Sequence, residues 1–236
     1  MTGAPIEAVI VVVPVHDEAA LLDRCLTALK IAIDRLSETG MLCIVRVVLD
    51  ACADGSARIV GAHGLTALAV EENLVGAARA LGIAAAWNEV DTLAPDQVWI
   101  ANTDGDSAVP PSWLTVQIAA AHAGADIFVG TVRPDFADLD PRHQRHWHAT
   151  HTPGVPNGHV HGASLGVRAG IYFEAGGFEA APEHEDVSLV DRCRRLGGEV
   201  VASDDAEVLT SGRTIGRTPG GYAGYLREQA LAIDID

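Results

Sequence analysis

An unbroken apolar run lies near the start of the chain, where residues 8–15, AVIVVVPV, include no polar side chain. A strand with one face in water alternates apolar and polar residues, so this run predicts a strand buried on both faces, as in a parallel sheet covered by helices on each side. The next segment, ALLDRCLTALKIAIDRLSE, has apolar residues at helical spacing, with Asp17 as a candidate helix cap and Gly40 at its end. The chain therefore begins with a strand and a covering helix.

The same alternation of strand and helix patterns continues along the first half of the chain. Strand patterns occur at 43–50 (CIVRVVLD), 65–70 (LTALAV) and 97–104 (QVWIANTD), and an alanine-rich helix pattern occurs at 73–87. We expect an α/β fold, with a mostly parallel central sheet flanked by helices. A length of 236 residues fits one such domain.

The second half is less regular. A helix-to-strand passage, AAHAGADIFVGTV, precedes a span rich in His, Pro and Gly from 134 to 162, which we interpret as one long functional loop. A further helix is expected at 185–196, and no linker separates a second domain.

Three polar clusters follow the predicted strands at the points where those strands end. They are HDE at 16–18, DACADGS at 50–56 and NTDGDS at 102–107. In a parallel sheet the carboxyl ends of the strands meet at one edge, and ligands bind there. We therefore expect all three clusters to open onto a single crevice.

Asp104 and Asp106, in the third cluster, place two like charges close together. Such a pair repels unless a cation compensates or water solvates the loop, so the residues alone leave two interpretations open: a divalent metal site, or an ordinary solvated turn. A calcium-binding EF-hand loop is excluded, because Val109 stands at its sixth position, where glycine is required, and Thr115 at its twelfth, where glutamate is required.

Composition narrows the class of partner. The chain has 32 Asp and Glu against 16 Lys and Arg, a formal charge of −16, which repels nucleic-acid phosphates. No apolar run approaches the roughly 20 residues that span a bilayer. The N-terminus has no signal-peptide pattern, and the four scattered cysteines form no CxxC pair. We expect a cytoplasmic protein with reduced thiols; peripheral attachment to a membrane and a homodimer stay open.

Five segments occur in a recognisable order: VIVVVPVHDEAALLDRCLTAL, VVLDACADGS, NLVGAARALGIAAA, WIANTDGDSAVPPSWL, and HGASLGVRAGIYFEAGGF followed by HEDVSLVDRCRRLGG. Together, from about residue 8 to about residue 215, they resemble the nucleotide-sugar-dependent glycosyltransferases of family 2, which have the GT-A fold. The resemblance implies a single, Rossmann-like catalytic domain over residues 1–236, with a nucleotide-sugar-binding half at about 8–130 and an acceptor and catalytic half at about 131–236.

The resemblance also implies a chemistry, the metal-dependent, inverting transfer of a sugar from a nucleoside-diphosphate-sugar to an acceptor hydroxyl. Asp104 and Asp106 match the family's DxD motif, so Asp106 would bind Mn²⁺ or Mg²⁺ directly, and Asp104 would bind the ribose, or the metal through water. Such a metal neutralises the charge of the leaving diphosphate. Glu185 and Asp186 match the catalytic acidic pair, with Asp186 as the base; the alternative is that both only complement a helix macrodipole.

Donor contacts follow from the same comparison. Asp50 matches the first acidic residue of the motif that meets the nucleotide base, but Ala51 stands where many relatives have a second one. Asp54 either substitutes for that residue or only stabilises its turn. Arg79 either approaches the diphosphate or lies on a solvated helix face. The other residues expected to line the nucleotide site are Pro14, His16 and Glu18.

Histidines are dense in the second half of the chain. Six fall in one short span: His143, His146, His148, His151, His159 and His161. Zinc is one interpretation, but no cysteine lies nearby, and prolines and glycines at 153–158 argue against a helix that would align ligands. We interpret the span as a loop beside the active site. By the resemblance, His161 lies in the acceptor region, and His184 and His161 are candidates for a late metal ligand.

The segment TSGRTIGR at 210–217 carries Ser211, Arg213 and Arg217 after the last predicted strand. A mobile loop that closes over a diphosphate needs such cations. An exposed basic turn is the alternative interpretation.

The leading hypothesis is thus an inverting, metal-dependent glycosyltransferase acting on a small-molecule, glycan or lipid acceptor. A nucleotidyltransferase is the enzymatic alternative, although HDEAALL shows neither the glycines nor the basic residues of a phosphate loop. A catalytically silent nucleotide- or sugar-binding relative is the other alternative, and the presence of both Asp106 and Asp186 argues against it.

Overall fold

The computed structural model describes residues 4–216 and 220–233, which form seven strands and eight helices. The strands are β1 (Ala8–Val15), β2 (Leu42–Asp50), β3 (Ala67–Val70), β4 (Val98–Asn102), β5 (Ile127–Pro134), β6 (Leu165–Arg168) and β7 (Val200–Thr210). The helices are α1 (Leu22–Ser37), α2 (Ser56–Ala62), α3 (Val75–Trp87), α4 (Trp113–His122), α5 (Pro141–Thr150), α6 (Ala169–Glu174), α7 (Glu185–Arg195) and α8 (Tyr222–Ile233).

All seven strands join one sheet in the order β3-β2-β1-β4-β6-β5-β7. β1 pairs in parallel with both β2 and β4, and β5 pairs in parallel with β7. β6 is antiparallel to both of its neighbours, β4 and β5. The predicted single α/β domain with a mostly parallel sheet is confirmed.

Strand β1 is buried along its whole length because helices cover both faces of the sheet. Val11 and Val13 pack in one core cluster with Leu26 of α1, whereas Ile10 and Val12 pack in the other with residues of α3 and α7. Each fully buried aliphatic side chain of this kind contributes about 1.5–3 kcal/mol. The continuous apolar run is thus explained by two cores, one on each side of the sheet.

Helix α3 lies unusually close to the sheet at Gly82. A Cβ atom there would come within 2.7 Å of the Val48 side chain and 2.8 Å of the Val12 side chain, so only glycine allows this approach. The close packing fixes α3 beside β1 and β2, and the same helix carries Arg79 to the edge where the strands end.

The prediction that Asp17 caps α1 is wrong. The residue before α1 is Leu21, which supplies no side-chain cap. Asp17 has a φ of 52°, and its Oδ1 accepts hydrogen bonds from the backbone N–H groups of Ala53 (2.7 Å) and Asp54 (3.1 Å). The carboxylate therefore ties the loop after β1 to the loop after β2, which a local pattern does not indicate.

The prediction of one long loop at 134–162 is wrong in its middle, because α5 lies there. Asp140 caps this helix by accepting a hydrogen bond from the backbone N–H of His143 (3.0 Å). The prolines that argued against a helix, Pro153 and Pro156, come after it ends.

Two further predictions concern membrane-spanning segments and the state of the cysteines. No helix within residues 4–216 and 220–233 is long and apolar enough to cross a membrane. All four cysteines are free thiols, and burial raises the pKa of Cys43 to about 12.

Candidate active site

A cavity of about 990 Å³ opens where β1, β2 and β4 end. His16 and Glu18 reach it from the loop after β1, Asp50 from the end of β2, and Asp104 and Asp106 from the loop after β4. The three polar clusters therefore share one crevice, as predicted from the sheet topology.

The second half of the chain closes the other side of this cavity through residues 159–163, the start of α7 and the segment after β7. Of the residues singled out from sequence, those that line the cavity are Pro14, His16, Glu18, Asp50, Arg79, Asp104, Asp106, His159, His161, His184, Glu185, Asp186, Ser211 and Arg213. Arg217 lies outside the described residues.

Asp54 does not line the cavity. It is exposed, and its carboxylate accepts hydrogen bonds from the backbone N–H groups of Ala19 (2.8 Å) and Ser56 (2.9 Å). The geometry supports the turn-stabilising alternative for Asp54 rather than contact with a donor.

Asp50 holds the start of α3 in place. Its Oδ1 and Oδ2 accept hydrogen bonds from the backbone N–H groups of Asn73 (2.7 Å) and Leu74 (3.0 Å), just before that helix. The Nδ1–H of His16 donates to the backbone carbonyl of Asp50 (2.7 Å). Because both carboxylate oxygens already accept one hydrogen bond each, only their remaining lone pairs can face a ligand.

Arg79 connects the two halves of the cavity. It is 2% exposed, and its Nη2 lies 2.6 Å from Asp104 Oδ1, while its Nη1 pairs with Glu185 Oε1. Burial raises the pKa of Glu185, and the guanidinium opposes that shift. The solvated-face interpretation of Arg79 is wrong, since its charge is paired inside the protein. A signal existed: Arg79 is the sole charged residue of α3.

Asp106 is nearly buried, with a side-chain exposure of 13%. Its Oδ1 lies 3.1 Å from Ser107 Oγ and 3.4 Å from Thr210 Oγ1, and its Oδ2 lies 3.0 Å from Arg213 Nη2. Burial raises the pKa of Asp106 to about 6, and the charge of Asp104 adds to that shift. Sequence patterns did not indicate the contact with Thr210, which comes from β7.

Charge in the cavity is strongly unbalanced. Its described lining holds seven carboxylates, at Glu18, Asp50, Asp104, Asp106, Glu183, Glu185 and Asp186, but only two arginines, Arg79 and Arg213. Carboxylate oxygens are the ligands that Mg²⁺ and Mn²⁺ prefer, so the residues fit a divalent cation that would offset this excess.

Asp186 lies in the first turn of α7, beside the buried Glu185. Its Oδ2 accepts a hydrogen bond from the backbone N–H of Gly162 (2.7 Å), and its Oδ1 accepts one from the N–H of Val187 (2.8 Å). A Cβ at residue 162 would collide with the Arg79 guanidinium, so a larger residue there would require Arg79 to shift. The carboxylate is thus held at the cavity wall by backbone donors.

His184 precedes α7 in the left-handed backbone region, with a φ of 59°. Its side chain is 62% exposed and lies 3.9 Å from the carboxylate of Glu183. It reaches the same cavity as Asp106.

An aromatic wall, defined as His159, His161, Tyr222 and Tyr225, lines the cavity beyond Asp186. The rings of His161 and Tyr222 are 5.6 Å apart, and those of Tyr222 and Tyr225 are 5.9 Å apart. Burial lowers the pKa of His161 from 6.5 to about 4, so its imidazole is neutral near pH 7. Sequence reasoning missed both tyrosines, which belong to the C-terminal helix α8.

The remaining histidines of the span do not form a metal site in the described part of the chain. His143, His146 and His148 lie on α5, and the ring of His151 stacks on Trp147 at 4.2 Å. Within residues 4–216 and 220–233, one group of three metal-ligand side chains comes together, and it is Asp17, Cys52 and Asp54. The zinc interpretation therefore has no support there.

Protonation of His161 is expected to make stability depend on pH. Because the pKa of His161 is about 4 in the folded chain and about 6.5 when unfolded, the unfolded chain binds more protons between these values, and stability falls as the pH drops through this window. Urea unfolding at pH 7 and pH 5 measures the effect. His161→Phe, which keeps an aromatic ring beside Tyr222, should lose less stability than the wild type over that interval; equal losses would contradict the assignment.

The family model described as "Glycosyl transferase family 2" matches residues 10–176. Solved structures add a likeness in fold. TarS 1-349 of S. aureus is 12% identical, with a TM-score of 0.59 over 97% of this chain and 64% of that chain. Glucosyl-3-phosphoglycerate synthase from Mycobacterium tuberculosis, in complex with Mn²⁺, UDP and glucosyl-3-phosphoglycerate, is 14% identical, with a TM-score of 0.57 over 96% of this chain and 80% of that chain.

The mannosyltransferase PcManGT from Pyrobaculum calidifontis, in complex with GDP-Man and Mn²⁺, is 20% identical, with a TM-score of 0.56 over 91% of this chain and 61% of that chain. The chain spans less than two thirds of the two TarS chains, 64% and 39%. Among curated protein sequences, none matches significantly. The likeness to these structures confirms the GT-A fold.

Proposed function

The chain belongs to glycosyltransferase family 2, and from that premise we propose that it is a metal-dependent, inverting glycosyltransferase that moves a sugar from a nucleoside-diphosphate-sugar to an acceptor hydroxyl. One observation carries the proposal: Asp104, Asp106 and Asp186 line a single cavity, and its described lining holds seven carboxylates against two arginines. A divalent cation would offset the excess of carboxylates in this site, and it would also offset the negative charge of a bound diphosphate.

Asp106 is the proposed direct ligand of Mn²⁺ or Mg²⁺. Its Oδ1 lies near the hydroxyl groups of Ser107 and Thr210, and its Oδ2, which pairs with Arg213, is the oxygen proposed to bind the metal. Asp104, paired with Arg79 through Oδ1, is the proposed partner of the ribose or of a metal-bound water. His184 is a candidate for a further ligand. The metal, when bound, would stabilise the leaving diphosphate without proton transfer.

Asp186 is the proposed base that takes the proton from the acceptor hydroxyl. An alcohol is a poor nucleophile until its proton is being removed, and direct attack by one such hydroxyl inverts the anomeric centre. Hydrogen bonds from the backbone N–H groups of Gly162 and Val187 hold this carboxylate in position at the cavity wall. Glu185, which lines the same cavity and pairs with Arg79, is proposed to support this role from the position beside Asp186.

The donor is proposed to bind mainly to residues 8–130 and the acceptor mainly to residues 131–236. His16 and Asp50, with Pro14 beside them, form the end of the cavity proposed to hold the nucleoside. The aromatic wall, on the side of Asp186, is proposed to face the acceptor. Since the similar structures contain UDP or GDP-Man, both uridine and guanosine donors are to be tested.

No observation favours the nucleotidyltransferase alternative. The loop after β1, HDEAALL, shows neither the glycines nor the basic residues that such enzymes use against phosphates.

Incubation with UDP- and GDP-sugars tests the proposed function without a known acceptor, because water can replace the acceptor hydroxyl slowly. We expect release of nucleoside diphosphate that depends on Mn²⁺, and NMR should show that an α-linked donor gives the β-sugar first. Release of the α-sugar would contradict inversion, and release unaffected by EDTA would contradict metal dependence.

A further inference from the structure

Arg213 joins two carboxylates of the proposed metal-diphosphate site. Its Nη2 lies 2.6 Å from Glu18 Oε1 and 3.0 Å from Asp106 Oδ2, and its Nη1 lies 3.0 Å from Glu18 Oε2. Glu18 follows β1 and Arg213 follows β7, so residues at opposite ends of the chain meet here. One guanidinium thus bridges the proposed metal ligand and a neighbouring acid.

We propose that Arg213 is a built-in counter-cation that competes with the divalent metal for Asp106, and that it becomes a partner of the diphosphate once metal and nucleotide are bound together. The inference rests on the proposed function, because it takes Asp106 as the metal ligand. It assigns Arg213 two opposite effects: it weakens the binding of metal alone, and it strengthens the binding of metal together with nucleotide.

The competition between Arg213 and the metal follows from the contacts of the two Asp106 oxygens. Oδ1 is near the hydroxyl groups of Ser107 and Thr210, and Oδ2 faces Arg213. A metal bound to Oδ2 at about 2.1 Å would lie within about 5 Å of the guanidinium, given its distance of 3.0 Å from the same oxygen. Two cations this close repel. Metal can therefore bind well only if Arg213 gives up its contact with Asp106.

Arg213 is placed so that it can give up this contact. Its side chain is 42% exposed, whereas those of Glu18 and Asp106 are 14% and 13% exposed. Both Nη atoms of Arg213 also pair with Glu18, so the guanidinium can keep a partner when its contact with Asp106 is lost. Since partly exposed ion pairs are weak, the competition should be modest in size.

A diphosphate reverses the balance. It adds negative charge next to the metal, and a planar guanidinium fork matches phosphate oxygens. Arg213 is therefore expected to strengthen the binding of nucleotide together with metal and to weaken the binding of metal alone.

Titration of Mn²⁺ alone, and of UDP or GDP in the presence of Mn²⁺, tests the inference by calorimetry without any turnover. Arg213→Ala is expected to bind Mn²⁺ alone about two- to fivefold more tightly than wild type. The same variant should bind the nucleotide with Mn²⁺ more weakly, by about three- to tenfold. Arg213→Lys, which keeps the charge but lacks the fork, should fall between. Arg194→Ala, which breaks a surface pair with Asp191, is the matched control and should match wild type in both titrations.

The two titrations distinguish a failure of this inference from a failure of the proposed function. Equal or weaker Mn²⁺ affinity in Arg213→Ala than in wild type would overturn the competition, and unchanged nucleotide affinity in Mn²⁺ would overturn the contact with the diphosphate. If wild type binds neither UDP nor GDP in the presence of Mn²⁺, the proposed function itself is wrong.

Discussion

Replacing Asp186 with asparagine is expected to lower the rate of sugar transfer by about 10²- to 10⁴-fold while leaving donor binding nearly unchanged. Asparagine is close in shape to aspartate, and its amide oxygen can still accept the hydrogen bond from the backbone N–H of Gly162. It cannot take up a proton from an acceptor hydroxyl, so the loss should fall on turnover rather than on binding.

Turnover and calorimetric donor binding should be measured on the same preparations of wild type and Asp186→Asn. Asp191→Asn is a matched control, because Asp191 lies on the same helix α7 and makes a surface pair with Arg194. Wild-type turnover in Asp186→Asn would remove Asp186 from the role of base. An equal loss of donor affinity and turnover would instead indicate that Asp186 supports the donor site.

Local patterns were enough to predict the framework of the site. The run at 8–15 is buried on both faces, and polar clusters after β1, β2 and β4 meet because parallel strands end at one edge. These features depend on residue periodicity and on sheet topology, and both can be derived from the sequence.

Contacts between distant parts of the chain could not be predicted in the same way. Arg79 is separated from Glu185 by 106 residues, and Glu18 from Arg213 by 195. The sequence allows Arg79 to be either a diphosphate contact or a solvated residue, although an arginine in a helix otherwise built of small and apolar residues needs a buried partner. Which carboxylate provides that partner depends on how α3 packs against α7.

The errors at Asp17 and in the 134–162 span have a common cause. Local rules of capping and helix breaking predict a cap at an aspartate before an apolar segment and a loop where prolines lie near histidines. In the fold, Asp17 instead accepts hydrogen bonds from the backbone N–H groups of residues 53 and 54, and α5 ends before Pro153. An aspartate can cap a helix or bind the backbone of another loop, and tertiary contacts, which the local rules do not include, decide between these roles.

Replacing Asp106 with asparagine is expected to remove most of the metal dependence of nucleotide binding. Asparagine can still contact Ser107 and Thr210, but it lacks the negative charge that a divalent cation requires. We expect the affinity for nucleoside diphosphate in the presence of Mn²⁺ to fall by at least about tenfold. Asp34→Asn, an exposed change on α1, is the control and should leave that affinity unchanged.

Calorimetric titration of wild type and Asp106→Asn with UDP and GDP, in Mn²⁺ and in EDTA, tests metal-dependent donor binding most directly, because it requires no acceptor. Wild type should bind one of the two nucleotides tightly in Mn²⁺ and at least about tenfold more weakly in EDTA, whereas Asp106→Asn should bind weakly in both. Equal binding of wild type in Mn²⁺ and EDTA, or an unchanged response to Mn²⁺ in Asp106→Asn, would contradict the proposed metal-diphosphate site.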